Sequence, residues 1–114
     1  MKIYHNPRCR KSREALTILQ QKVSQIKIIE YLKSPPSKLE IQQILKMLNI
    51  SAFDLIRKGE KIFKEKYKDQ QLSESDYIDI LCLHPILIQR PIIIKDNCAV
   101  LGRPPINVLD LLNK

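Results

Sequence analysis

A chain of 114 residues, 44% hydrophobic and 28% charged, has the size and composition of one soluble globular domain. No apolar run reaches the ~20 residues of a membrane span, and the opening residues MKIYHNP lack a secretory core, so a cytoplasmic protein is expected. The net charge of +8 suits either nucleic acid or a small anion. Aromatics make up only 5% and do not alternate with the scattered Lys and Arg, so nucleic-acid binding is not expected.

Taken in chain order, KIYH (Lys2 to His5) is a short apolar start that reads as a buried strand. Ala15, Leu16, Leu19 and Val23 then recur at helical spacing and predict a helix over Arg10 to Lys22. QIKIIEYL, Gln25 to Leu32, has the β-branched enrichment of a strand. Strand, helix and strand within about thirty residues make a βαβ unit, which implies parallel pairing. Pro35-Pro36 break the chain, and Ser37 with Glu40 forms a capping box that opens a helix through Met47. Further helices are expected over Ala52 to Arg57 and Ser73 to His84, the latter capped by Ser73 with Asp76. Ile92 to Ile94, a turn at Asp96-Asn97 and Cys98 to Leu101 predict a β-hairpin. Pro104 and Pro105 start a last helix through Leu112.

The order is therefore βαβ, a helical block, then ββα. It predicts an α/β fold of thioredoxin-like architecture, with a small mixed sheet. Residues 1–114 form one domain, with a helical insertion over about 37–84.

Three scattered cysteines, Cys9, Cys82 and Cys98, do not look like a disulfide framework and suit a reducing compartment. Cys9 falls between the first strand and the first helix. Free N–H groups and the positive dipole end lower a thiol pKa there. Arg8, Arg10, Lys11 and Arg13 add positive charge, and Ser12, in a C-x-x-S arrangement, is placed to donate its hydroxyl to the thiolate. The competing reading is a structural cysteine in a charged loop. His5 either tunes this loop or simply bonds to backbone at a strand end, and His84 is assigned no chemistry. No spacing matches a zinc site, so no metal is expected. Cys82 and Cys98 are expected to fill space.

Arg57, Arg90 and Arg103 each stand at a break in regular structure, and the Arg90-Pro91 bond is a candidate cis peptide. Singly each reads as a surface arginine. Together with Cys9 they fit an oxyanion clamp, since a guanidinium stays charged and pairs bidentately.

YHNPRCRKSR, LIRKGE, HPILIQRPIII and GRPP followed by VLDLL together resemble the ArsC-type arsenate reductases, the glutaredoxin-linked family with a thioredoxin-like fold. The likeness runs from Lys2 to about Leu112. It implies that Cys9 is the catalytic cysteine, that His5 influences its ionisation and that Ser12 steadies the thiolate. It further implies that Arg57, Arg90 and Arg103 bind the oxyanion. Cys9 would displace hydroxide from arsenate; glutathione, as co-substrate, would attack the adduct and reduce arsenic; glutaredoxin would resolve the mixed species and release arsenite. No bound cofactor and no membrane partner are implied, and a monomer is the default for so small a domain. Arg10 and Lys11 stand where well-studied members carry small neutral residues. The alternative is a Spx-type redox-responsive transcription regulator of the same fold, which typically uses a C-x-x-C switch; here Ser12 replaces its second cysteine. Dithiol glutaredoxins want that cysteine too, and phosphatase-like reductases need an arginine at the position that Ala15 fills.

Overall fold

The computed structural model describes residues 1–112, in which the chain forms two compact units: Met1–Ser34 with Arg90 onward, and Pro35–Gln89. The first unit holds a four-stranded sheet in the order β2-β1-β3-β4. Its strands are β1 (Lys2–His5), β2 (Lys27–Glu30), β3 (Ile92–Lys95) and β4 (Cys98–Leu101). β1 and β2 run parallel, with Ile3 opposite Ile28. β1 and β3 are antiparallel, with Ile3 opposite Ile93, and β4 returns antiparallel to β3. The expected mixed sheet is thus present, and the hairpin turn is closed by Asp96 at a positive φ of 55°, a conformation aspartate tolerates.

Helix α1 (Arg10–Lys22) has the bounds its periodicity predicts. Ala15 and Leu19 pack on the sheet face bearing Ile3 and Ile93, beside Val108 and Leu111 of the last helix, α6 (Val108–Leu112), and all six residues are fully buried. Burying side chains of the Leu and Ile size contributes about 1.5–3 kcal/mol each, so this stripe is what fixes α1 against the sheet. β2 is shorter than QIKIIEYL suggests because it is an edge strand whose partner among the described residues, β1, offers four residues. The chain then turns, with Lys33 and Ser34 N–H both donating to Glu30 O. The last helix begins with one 3₁₀ turn, Pro105–Asn107, before the α-helical geometry of α6.

The second unit contains α2 (Lys38–Leu48), α3 (Ala52–Leu55), α4 (Lys61–Lys66) and α5 (Glu74–Leu83). Both capping boxes form. Ser37 Oγ accepts from Glu40 N–H while Glu40 accepts from Ser37 N–H, and Ser73 and Asp76 make the same exchange. The helix expected over Ala52 to Arg57 stops at Leu55. Its next residues instead pair across the unit: Ile56 bridges Ile88, Arg57 N–H donates to Leu87 O at 2.7 Å, and Gln89 N–H donates to Leu55 O. α4 has no counterpart among the expected helices, because within it only Ile62 and Phe63 are apolar.

Candidate active site

The segment from His5 to Arg13 is organised by short hydrogen bonds around Asn6. Cys9 N–H donates to Asn6 O at 3.0 Å, Arg8 N–H donates to Asn6 Oδ1 at 3.0 Å, and Asn6 N–H donates to Ser12 Oγ at 3.0 Å. Asn6 is itself buried, at 5% exposure. This loop delivers Cys9 in an extended conformation (φ −93°, ψ 121°) as the N-cap of α1, so the free N–H groups of the first helical turn face its thiol.

Burial raises the Cys9 thiol pKa, but the opposing causes win and the net direction is downward. These are the backbone N–H of Ser12, the hydrogen bond and charge of the Arg90 guanidinium, and the backbone N–H of Lys11. Arg103 approaches from a second direction, its Nη1 lying 3.9 Å from Cys9 Sγ and donating to Arg90 O at 3.1 Å. Two guanidiniums distant in sequence therefore converge on one sulfur. Gly102 makes the convergence possible. Its N–H donates to Pro91 O, and a Cβ there would stand 2.7 Å from Pro91 Cγ and 3.2 Å from Ala15 Cβ. The Arg90-Pro91 bond is cis, as the sequence suggests; Arg103-Pro104 is cis as well, which the sequence does not announce.

Ser12 acts differently from its expectation. Its side chain is fully buried and turned to His5 Nδ1 at 2.6 Å, besides accepting from Asn6 N–H. The hydroxyl thus organises the loop, while the main-chain N–H of the same residue supports the thiolate. With Ser12 Oγ already accepting from Asn6, we assign its proton to His5 Nδ1, which places the imidazole proton on Nε2. His5 is 6% exposed and its pKa is lowered, mainly by burial, with Glu30 opposing and Arg13 assisting.

Two of the basic neighbours of Cys9 are occupied elsewhere. Arg10 Nε pairs with Glu14 at 2.8 Å and Arg13 Nη1 donates to Pro7 O at 3.0 Å. Arg57 lies in the second unit, where its Nε sits 3.5 Å from Glu60 Oε1 and its buried Nη1 has no hydrogen-bond partner. Cys9, His5, Ser12, Arg90 and Arg103 are all carried by the first unit.

One expectation for the other thiols needs revision. Cys98 does not fill space: it is exposed, because β4 is an edge strand. Cys82 is half-buried, and burial pushes its pKa up, with Asp79 adding to the effect. His84 caps α5, and its ring is hydrogen-bonded to Tyr67 Oη at 3.0 Å. Among the described residues, no group of three or more His, Cys, Asp or Glu could hold a metal ion, and no helix is long and apolar enough to cross a membrane.

The model of the ArsC family matches residues 4–111. The uncharacterised protein YfgD of Escherichia coli (strain K12) is 39% identical over 114 residues, covering 98% of this chain and 96% of that protein. The arsenate reductase of Haemophilus influenzae is 39% identical over 112 residues, covering 96% and 97%. Among solved structures, an arsenate reductase from Vibrio cholerae superposes with a TM-score of 0.90 at 37% identity, covering 96% of this chain and 97% of that one.

Proposed function

Because the chain belongs to the ArsC family, we propose that it reduces arsenate to arsenite with Cys9 as nucleophile and with glutathione and glutaredoxin as the reducing thiols. The observation that carries this reading is the meeting of the Arg90 and Arg103 side chains at the sulfur of a helix-capping cysteine. An anionic nucleophile and an oxyanion repel each other, and fixed cations that neutralise both lower the barrier to their meeting.

In the first step the Cys9 sulfur forms a bond to arsenic, and one arsenate oxygen leaves as water after protonation; arsenic remains pentavalent. Arg90 and Arg103 bind the remaining oxygens. A glutathione sulfur then replaces a further oxygen. A glutaredoxin thiol attacks that glutathione sulfur, so that a mixed disulfide forms and the electron pair passes to arsenic. Two thiols are oxidised as arsenic gains two electrons. Water cleaves the remaining sulfur–arsenic bond, releasing arsenite and restoring the Cys9 thiol. His5 and Ser12 hold the loop in the geometry that keeps the thiolate available. No bound cofactor is required, and the reaction suits a monomer in the glutathione-rich cytoplasm.

The test is arsenite production by purified protein supplied with arsenate, glutathione and glutaredoxin. Turnover requiring all three supports the reading; its absence, alongside binding to RNA polymerase, would replace it with a regulatory role.

A further inference from the structure

The charge of the chain is not evenly spread. Residues 1–34 and 90–114 hold twelve Lys and Arg against four Asp and Glu, whereas residues 35–89 hold eight of each. The whole net charge of +8 therefore belongs to the unit that carries Cys9. Four of its cations, Arg8, Arg10, Lys11 and Arg13, stand within four residues of Cys9, and they divide into two pairs. Arg10 is offset by Glu14, and Arg13 is fastened to Pro7 O. Arg8 and Lys11 are exposed, and among the described residues neither side chain has a hydrogen-bond or ion-pair partner. Resting on the reductase reading, we propose that Arg8 and Lys11 form an outer cationic collar that draws the anionic substrate to Cys9 and selects it over neutral electrophiles.

The collar is separate from the cations that act on the sulfur. Arg90 holds the thiolate by a hydrogen bond and by its charge, whereas Lys11 acts on it through its main-chain N–H. The loop sets where the two uncommitted cations are anchored. Arg8 N–H donates to Asn6 Oδ1 and Cys9 N–H to Asn6 O, so the backbone beside the sulfur is fixed. At ~3.8 Å per residue, the Cα atoms of Arg8 and Lys11 lie within about 4 and 8 Å of that of Cys9. Both distances are inside the ~10 Å over which charges act at 0.1 M salt.

The size of the effect follows from Coulomb attraction in water. At low salt, a unit cation about 8 Å from a monovalent anion raises its local concentration about twofold, and two cations raise it about fourfold. For a dianion the factors square, to about fifteenfold for the pair. A neutral reagent gains nothing. Arsenate near neutral pH is a mixture of monoanion and dianion, so a solvated collar favours its arrival without a fixed contact.

The experiment compares iodoacetate with iodoacetamide on the full chain, with alkylation of Cys9 followed by peptide mass spectrometry. The two reagents differ in charge and consume the same thiolate, so their rate ratio does not depend on how much thiolate is present. Arg8→Gln and Lys11→Gln should each lower the iodoacetate-to-iodoacetamide ratio about twofold at about 10 mM salt, and the double variant about fourfold. The difference from wild type should vanish at about 1 M salt, where screening leaves a reach of only ~3 Å. Lys22→Gln removes the same charge at the far end of α1, about 18 Å from Arg10 at ~1.5 Å per residue, and should leave the ratio unchanged. In arsenate reduction the double variant should lose about tenfold in kcat/KM at low salt, through KM, with kcat kept. An unaltered ratio in the double variant, an effect that persists at about 1 M salt, or an equal fall in Lys22→Gln would overturn the proposal. So would an unchanged arsenate KM in a chain that reduces arsenate. A chain whose ratio responds as expected but that reduces no arsenate upholds the collar and rejects the reductase reading; turnover with an unresponsive ratio does the reverse.

Discussion

Replacing Ser12 with alanine separates its two functions. The hydroxyl is fully buried, accepts from Asn6 N–H at 3.0 Å and is bonded to His5 Nδ1 at 2.6 Å. Its removal leaves two buried polar groups without their partner, and each such loss costs about 1–3 kcal/mol. The Ser12→Ala protein should therefore lose about 2–6 kcal/mol of stability, on the order of 10–20 °C in melting midpoint for a domain of this size. The main-chain N–H of residue 12, which supports the thiolate, survives the change. Cys9 alkylation measured against pH should accordingly retain a midpoint below the ~8.5 of a free cysteine. Urea unfolding and the alkylation profile on the same preparation decide the matter. If stability is unchanged while the alkylation midpoint returns to the ordinary value, the hydroxyl acts directly on the thiolate and the reasoning is refuted.

Arg90→Met should raise the Cys9 alkylation midpoint, since it removes both a hydrogen bond and a charge, whereas Arg10→Gln should leave it in place; equal effects would contradict the assignment. His5 has a folded-state pKa below its unfolded value of ~6.5, so the unfolded chain binds more protons between the two. Stability should fall as pH drops below about 6.5 toward the folded value and then level off, and His5→Gln should remove that portion of the slope; an unchanged slope in calorimetric scans would point to His84 instead. Gly102→Ala should slow arsenate reduction by displacing Arg103, because the new Cβ meets Pro91 Cγ at 2.7 Å; unchanged turnover would show that the loop can give way. Cys82→Ser and Cys98→Ser should reduce arsenate at the wild-type rate, and a loss in either would add a second thiol to the mechanism.

Much of the scaffold is legible in the chain because its signals are local. The stripe Ala15, Leu19 and the capping pairs Ser37–Glu40 and Ser73–Asp76 depend on residues three or four apart, and α1 and both boxes form as their spacing dictates. Where tertiary pairing competes, local reading fails. Ile56 and Arg57 leave helical geometry to meet Ile88 and Leu87, and β2 is cut to the length of its partner β1. α4 hides among lysines because only two of its six residues are apolar.

The site divides along the same line. Cys9 as a helix cap can be read from NPRC ahead of an amphipathic run, but the direction in which each neighbouring side chain points cannot. Arg10 and Arg13 turn to Glu14 and Pro7, Ser12 turns inward to His5, and Arg90 and Arg103 arrive from the far end of the chain. The sequence already groups Arg90 and Arg103 with Cys9, and the glycine before Arg103 is a residue small enough for Pro91 and Ala15 to close upon.

The most direct test of the account is arsenite release by wild-type protein and by Cys9→Ser, each supplied with arsenate, glutathione and glutaredoxin. The wild type should turn over and the variant, folded to the same melting midpoint, should not. Arsenite formation by Cys9→Ser at a comparable rate would contradict the claim that this sulfur attacks arsenic.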